Sequence, residues 1–130
     1  MEDCIFCKIV KGEIPTEKVI YENDNFFSIK DANPVLEGHS LVISKKHFET
    51  ILNLPSNLGV ELLDAIKNTS FKLLEEFNAE GINVYNNVNE AAGQIVNHFH
   101  VHLVPRRKLD NVVIKFIDKD SKKSIELRDK

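Results

Sequence analysis

Residues 93–105 read GQIVNHFHVHLVP, and three of the chain's five histidines fall within this stretch. His98, His100 and His102 alternate with apolar residues. Because successive side chains of a β-strand point to opposite faces, a strand here would place the three imidazoles on one face and an apolar row on the other. Pro105 has no N–H to give to a ladder, so we expect it to end the regular pairing. The stretch therefore predicts a half-buried strand that carries groups titrating near neutral pH.

The composition indicates a single soluble domain spanning residues 1–130, with 42% hydrophobic residues and a net charge of -3. A general nucleic-acid-binding surface would be basic, so we expect no nucleic-acid partner. No apolar run approaches the length of a membrane span, so we expect no membrane association. The first residues lack the features of a signal peptide, and we therefore expect a cytoplasmic location.

Hydrophobic periodicity predicts one long helix among short strands. The helix begins near Pro55 and repeats apolar residues at steps of three or four up to Phe77. A short helix is expected over residues 4–10, and a charged tail or terminal helix over residues 118–130. Strands are predicted at 18–22, 26–30, 39–44, 82–87, 98–104 and 112–117. Since most links between strands are short, the pattern favours antiparallel pairing in an α+β fold.

Two chemistries fit a row of histidines on one strand face. Histidines two residues apart can converge on one metal ion, or a neutral imidazole can attack phosphorus while its neighbour holds phosphate oxygens. The residues ahead of the row favour the second chemistry. Gly93 permits close backbone approach to a ligand, Gln94 can donate to an oxygen, and Asn86 and Asn87 end a neighbouring predicted strand.

A second cluster is formed by Cys4 and Cys7, which have C-x-x-C spacing. In a reducing compartment this spacing favours a metal site or redox chemistry over a structural disulfide. The thioredoxin-like βαβ pattern that would support a redox role is not apparent. The two cysteines supply at most half of a zinc site, and two buried, inert thiols remain an alternative.

Three segments resemble the histidine triad (HIT) family, in its Hint-like branch, and they occur in matching order. The stretch HFHVHLV at 98–104, preceded by Gly93 and Gln94, is similar to the family signature H-φ-H-φ-H-φ-φ. CIFCKIVKGEIP at 4–15 and GHSLVISKKH at 38–47 are similar to the branch's opening and third-strand segments. The resemblance implies a HIT-like fold with about five antiparallel strands, one long helix and short helices. It also implies a homodimer in which the sheet continues across a two-fold axis.

The resemblance further implies a nucleotide hydrolase that releases AMP, or another purine nucleoside monophosphate, from phosphoramidates or dinucleoside polyphosphates. His100 would be the nucleophile, His102 would hold the phosphate or the leaving group, and His98 would orient the site. Asp31 would accept the ribose hydroxyls. The other implied nucleotide-binding residues are Asn87, Gly93, Gln94 and Ile95 around the phosphates and Ile5, Phe6 and Ile29 around the base.

A structural Zn²⁺ on Cys4, Cys7, His47 and His98 is also implied by the resemblance. Ile95 departs from the pattern, because the branch usually has serine there, and the tail after Arg107 lacks clear correspondence. Two alternatives therefore stay open. One is a nucleotidyl transferase, and the other is a zinc-stabilised nucleotide-binding module with little turnover.

Overall fold

The computed structural model describes residues 3–16, 18–116 and 125–126. Its two α-helices are α1 and α2, and its seven strands fall into two sheets. The bounds are α1 Ile5–Val10, β1 Tyr21–Glu22, β2 Phe26–Lys30, β3 Ser40–Ser44, α2 Gly59–Glu76, β4 Gly81–Tyr85, β5 His100–Arg106, β6 Lys115–Phe116 and β7 Ile125–Glu126. Single 3₁₀ turns occupy Ile51–Asn53, Ser56–Leu58 and Glu90–Ala92. Neither helix of the described part is long and apolar enough to cross a membrane.

The main sheet has five strands in the order β1-β2-β3-β5-β4, and every neighbouring pair is antiparallel. The predicted α+β architecture with one long helix is therefore confirmed. β6 and β7 form a separate antiparallel pair. In the main sheet the histidine strand β5 lies between β3 and β4, so its side chains are flanked on both sides.

One face of the main sheet packs against α2. Val42, Val101 and Leu103 from the inner strands meet Ala65 and Leu73 of the helix, all buried. The buried residues of α2 are Ala65, Thr69 and Leu73. Because they are four residues apart, they lie on one side of the helix, as the periodicity predicts. A hydrogen bond of 2.7 Å between the hydroxyls of Ser28 and Thr69 satisfies two polar groups inside this layer.

The opposite face of the sheet carries the histidines and is partly covered by α1. Phe6 of α1 packs with an aliphatic and aromatic cluster from β2 and β3 that includes Ile29, Leu41 and Ile43. Its ring also makes edge contacts with the imidazoles of His98 and His100, at centroid distances of 5.6 and 5.1 Å. The short helix is therefore held against the histidine row by one buried ring.

The bounds of β5 correct two predictions about the histidine stretch. β5 begins at His100, so His98 lies ahead of the strand rather than within it. Pro105 does not end the pairing, because Pro105 pairs with Ile82 and the strand continues to Arg106. The last β5 residue with a partner on β3 is Leu103, so Pro105 has a neighbouring strand on one side only. Its missing N–H is tolerated there as it is on an edge strand.

Other strands are shorter than predicted. The expected strand 18–22 is reduced to Tyr21–Glu22, and the expected strand 82–87 becomes Gly81–Tyr85. The expected strand 112–117 is reduced to Lys115–Phe116, with residue 117 outside the described residues. Of the predicted charged tail, only Ile125–Glu126 is described, as strand β7 rather than a helix.

Candidate functional site

A cleft of about 580 Å³ opens over the histidine face of the sheet. Cross-strand pairing places Ile29, Leu41, His102 and Tyr85 side by side in one row across β2, β3, β5 and β4. His100 lies in the next row, paired with Ile43. The cleft lining also includes parts of α1, of the β2–β3 loop and of the turn before the histidines, so segments that are distant in the sequence converge on the two β5 histidines.

His100 has a fixed tautomer. Its Nδ1 lies 2.7 Å from the carbonyl oxygen of His98, which has no proton to give, so Nδ1–H is the donor. The lone pair of the neutral ring is therefore on Nε2. The residue is 8% exposed and lines the cleft. An unprotonated, oriented imidazole nitrogen is the group that nucleophilic attack on phosphorus requires.

His102 has the opposite tautomer, set through His39. The backbone N–H of Val35 donates to Nδ1 of His39 at 3.1 Å, so a neutral His39 carries its proton on Nε2. That Nε2 lies 2.9 Å from Nδ1 of His102 and 3.5 Å from a carboxylate oxygen of Asp31. His102 thus accepts at Nδ1 and has its own proton on Nε2. The pair of β5 histidines consequently offers one lone pair and one N–H donor.

Burial keeps these imidazoles neutral. Loss of hydration lowers the pKa of His100 below the ordinary value of 6.5, against the opposing effect of its hydrogen bond to the His98 carbonyl. Burial is the main cause that lowers the pKa of His102, and the nearby His100 and His39 lower it further, to about 3. The pKa of His39 is lowered first by burial as well. At neutral pH the site therefore combines a neutral imidazole that has a lone pair on Nε2 with neutral N–H donors.

The turn before the histidines divides the predicted phosphate-binding residues into two groups. Asn87, Gly93 and Ile95 line the cleft, and the φ of 102° at Gly93 is a value that favours glycine. Gln94 is buried and has its polar atoms occupied inside the turn. Its Nε2 donates to the carbonyls of Glu49 and Val96, and its Oε1 accepts the N–H of Asn89. The Gln94 side chain therefore shapes the turn, and the structure does not bring it into the cleft.

The predicted base-binding and ribose-binding residues do come together. Ile5, Phe6, Ile29 and Asp31 all line the cleft on the side of α1 and β2. Asp31 also accepts the N–H of Asn33 at 2.9 Å, which orients its carboxylate at the start of the loop. Ile95 is 87% exposed, so its side chain fills no part of the core.

A cluster of four possible metal ligands lies beside the cleft. The Sγ atoms of Cys4 and Cys7 and the Nδ1 atoms of His47 and His98 all lie within 4.8 Å of one another. Cys4 Sγ and Cys7 Sγ are 3.3 and 3.5 Å from Nδ1 of His98, and the two Nδ1 atoms are 3.2 Å apart. Zinc bonds of normal length in a tetrahedron imply about 3.3 Å between two nitrogens and about 3.5 Å between nitrogen and sulfur.

The protonation of His98 also fits a metal ligand. Its Nε2 donates to the carbonyl of Ser44 at 2.7 Å, which leaves the lone pair on Nδ1, the atom that faces the cysteines. The side chain of His98 is thus directed away from the cleft, while its backbone carbonyl holds His100. Its predicted role in orienting the site is therefore carried by the backbone.

A second group, Asp31, His39 and His102, also brings three possible ligand atoms within 4.8 Å. A metal would need a lone pair on Nε2 of His39, but the N–H of Val35 occupies the lone pair of Nδ1 and places the proton on Nε2. We therefore describe this group as a hydrogen-bonded relay and not as a second metal site.

Sequence reasoning missed two residues of the site. The sequence pattern predicts only a strand residue at His39, whereas its ring lies against His102, with 2.9 Å between Nε2 of His39 and Nδ1 of His102. Tyr85 stacks on the His102 ring at a centroid distance of 4.5 Å and an interplanar angle of 9°. Burial is the main cause that raises the pKa of Tyr85, and the charge of Asp31 raises it further, to about 12. Tyr85 therefore remains a neutral phenol at neutral pH. Neither residue belongs to the triad pattern. Strand pairing reveals Tyr85, and the ring contact with His102 reveals His39.

Comparisons with known proteins agree with this geometry. The HIT domain family model matches residues 11–109. An uncharacterized HIT-like protein of Methanocaldococcus jannaschii is 42% identical over 113 residues, covering 87% of this chain and 86% of that protein. An adenosine 5'-monophosphoramidase of Candida albicans is 41% identical over 108 residues, covering 80% and 70% of the two chains.

Among solved structures, a Zn-bound histidine triad family protein from Mycobacterium smegmatis superposes with a TM-score of 0.81. The two chains are 35% identical, and the match covers 92% of this chain and 85% of the other. The family model spans most of the chain and the described fold is that of these neighbours, so this protein belongs to the HIT family.

Proposed function

We propose that the protein is a nucleotide hydrolase that forms a nucleotidyl intermediate on His100. The observation that carries the proposal is the fixed tautomer of His100, whose Nε2 lone pair lies in a cleft beside the Nε2–H donor of His102. The similarity to an adenosine 5'-monophosphoramidase supports hydrolysis of AMP phosphoramidates in particular. Dinucleoside polyphosphates offer the same α-phosphorus and are the second substrate class that we propose.

The nucleotide would lie along the side of the cleft formed by α1 and β2. Ile5, Phe6 and Ile29 provide an apolar surface for a purine base, and the carboxylate of Asp31 can accept both ribose hydroxyls. The phosphate would then reach the turn at Gly93, where the backbone can approach it closely. This orientation brings the α-phosphorus to Nε2 of His100.

The reaction proceeds in two displacements. The Nε2 lone pair of His100 attacks the α-phosphorus, the bond from phosphorus to the leaving amine breaks, and the amine takes up a proton from water. A water molecule then attacks the phosphorus, the bond to Nε2 breaks, AMP leaves and the proton of the water returns to solvent. The Nε2–H of His102 donates to the phosphate in both steps and stabilises its charge in the transition states.

We further propose that Cys4, Cys7, His47 and His98 hold a structural Zn²⁺. Four protein ligands leave no open position for a reacting water, so the ion would stabilise the fold and take no part in the chemistry. It would tie α1 to the residue that precedes β5. Reduced thiols are required as ligands, and a reducing compartment such as the cytoplasm maintains them.

A homodimer is the third part of the proposal. α2 carries a second apolar stripe opposite its buried one, made of Val60, Leu63 and Phe71, which are 74, 56 and 65% exposed. β4 is an outer strand of the main sheet in the described part of the chain, and its Val84 is 50% exposed. A second copy related by a two-fold axis can cover the stripe and extend the sheet through β4.

The proposed reaction is tested by AMP release from an adenosine 5'-phosphoramidate. We expect wild-type protein to release AMP and His100→Ala to lose at least about 10³-fold in kcat, the scale of removing a nucleophile. His100→Ala should still bind AMP, because the base and ribose contacts remain. AMP binding by wild-type protein without any turnover would favour the binding module instead, and full activity of His100→Ala would exclude the intermediate. Appearance of the AMP group on an added phosphate acceptor would identify a transferase.

A further inference from the structure

The pairing of β4 with β5 stops just short of the proposed nucleophile. The last pair is Tyr85 with His102, and on the same register Asn87 would lie opposite His100. Instead β4 ends at Tyr85, and Asn87 lines the cleft as part of the turn that follows the strand. The sheet therefore opens at this point, and the hydrogen-bond ladder between the two strands ends before it reaches His100.

The backbone carbonyl of His100 points toward this opening. Carbonyls of successive strand residues point alternately to the two neighbouring strands. The carbonyl of Phe99 accepts the N–H of Ser44 in β3 at 3.4 Å, so the carbonyl of His100 points to the β4 side. Because His100 is buried, this carbonyl needs a donor from within the protein, and the ladder of β4 ends too early to supply one.

The side chain of Asn86 supplies that donor. Its Nδ2 donates to the carbonyl of His100 at 2.7 Å, and since a carbonyl can only accept, the contacting atom is the amide nitrogen. Asn86 is half-buried and is not part of the cleft lining, although its neighbours Tyr85 and Asn87 are. The amide therefore acts on the backbone of His100 and not directly on a ligand in the cleft.

Three contacts hold His100 from different directions. The hydrogen bond from Nδ1–H to the carbonyl of His98 fixes the rotation of the imidazole, and the ring of Phe6 packs edge-on against it at 5.1 Å. The amide of Asn86 holds the backbone from which the side chain extends. The position of Nε2 thus depends on Asn86, whereas the proposed base and ribose contacts lie on the side of α1 and β2.

We propose that Asn86 is a positioning residue for the nucleophile, an inference that rests on the proposed role of His100. Its amide replaces the backbone donor that a longer β4 would provide. β4 can therefore leave the sheet after Tyr85 and form the turn beside the cleft without releasing the backbone of His100. Since a displacement of about 1 Å at a reacting atom can cost about 100-fold in rate, this contact affects kcat more than it affects binding.

The test measures kcat for AMP release from an adenosine 5'-phosphoramidate, and the Kd for AMP, in two variants. Asn86→Ala removes the donor, and Asn86→Asp keeps the shape of the side chain but places an oxygen against the carbonyl of His100. We expect kcat to fall about tenfold in Asn86→Ala and at least as much in Asn86→Asp, because the backbone of His100 is then free to shift. The Kd for AMP should stay within about twofold of the wild-type value, because the base and ribose contacts remain.

Asn83→Ala is the matched control. Asn83 is an asparagine of β4 itself, and its side chain accepts a hydrogen bond from Arg106 at 2.6 Å, outside the cleft lining. We expect this variant to keep its kcat.

The possible outcomes separate the positioning role from the proposed function. Unchanged kcat in Asn86→Ala, or a kcat that falls only in parallel with AMP affinity, overturns the positioning role, while loss of activity in His100→Ala still supports the hydrolase. A wild-type protein that binds AMP and releases none from the phosphoramidate overturns the proposed function, and the positioning role with it.

Discussion

At the scale of single residues, the site is organised by the partners that fix each imidazole. The carbonyl of His98 determines that the proton of His100 is on Nδ1. The N–H of Val35, acting through His39, determines that the proton of His102 is on Nε2. Because both settings depend on backbone groups, they are fixed as soon as the chain folds. The proposed nucleophile, His100, and the proposed donor, His102, therefore need no change of tautomer before a substrate arrives, which is the basis of electrostatic preorganisation.

His39 offers a direct test of this relay. In His39→Leu the donor to Nδ1 of His102 is lost, so His102 can adopt the tautomer that lacks Nε2–H. We expect kcat to fall about 10- to 100-fold, the range for a residue that supports general acid–base and hydrogen-bond catalysis. His39→Gln keeps an N–H donor of similar reach and should recover a large part of kcat. The measurement is kcat and KM for AMP release, together with AMP affinity.

A purely structural role for His39 would predict a different pattern. AMP affinity and thermal stability would then fall in parallel with kcat, and glutamine would rescue no more than leucine. Equal kcat in the two variants would rule out the relay.

At the scale of elements, local pattern predicted the helices and the positions of the main strands along the chain, because both depend on periodicity within a segment. The alternation of His100 to Leu103 and the four-residue steps from Leu62 to Phe77 are signals of this kind. The ends of β5 were not predictable in the same way. Whether Pro105 can remain in a strand depends on which neighbour lies beside it, and that is a property of the sheet.

The site likewise combines residues that local pattern predicts with residues that only the folded sheet brings together. His100 and His102 follow from alternation, whereas Tyr85 lines the cleft through the pairing of β4 with β5, and Phe116 through its contact with Tyr85. Gln94 shows the limit of reading roles from motifs. Its position in the sequence favours contact with phosphate, but the carbonyls of Glu49 and Val96 already take up its N–H groups.

The short helix α1 gives a prediction about the metal. It has six residues and one buried side chain, Phe6, so we expect its position to depend on zinc. Purified protein should contain one zinc per chain, and Cys4→Ser should lose it. Serine is a good N-cap and can replace the contact that Cys4 makes with the N–H of Cys7, so the substitution removes the ligand while keeping the cap.

At zinc concentrations a hundredfold above its Kd, the ion would stabilise the fold by about 2.7 kcal/mol. For a domain of this size that corresponds to a Tm lower by about 10 °C after chelation, measurable by calorimetry. Lys11→Ser, an exposed position at the end of the same helix, should keep both the zinc and the Tm. Unchanged zinc content in Cys4→Ser would disprove the ligand set.

At the scale of the whole molecule, the two faces of the main sheet have different roles. Its histidine face carries the cleft and the cluster of Cys4, Cys7, His47 and His98, and its other face packs against α2. The helix has a buried stripe that includes Ala65 and Leu73 and, on the opposite side, an exposed apolar stripe. An isolated surface helix needs only one apolar stripe, so the second one is the surface that the proposed homodimer would cover.

The final prediction concerns that assembly. Wild-type protein should have twice the chain mass of 14.8 kDa in light scattering coupled to gel filtration. Phe71→Glu places a charge at the C-terminal end of the exposed stripe, where burial against a second copy would cost several kcal/mol, so the variant should be monomeric. Leu109→Glu makes the same kind of change at a residue that is 91% exposed in the turn after β5, and it should remain dimeric. A wild-type monomer at micromolar concentration, or a dimeric Phe71→Glu, would show that the stripe is not the dimer interface.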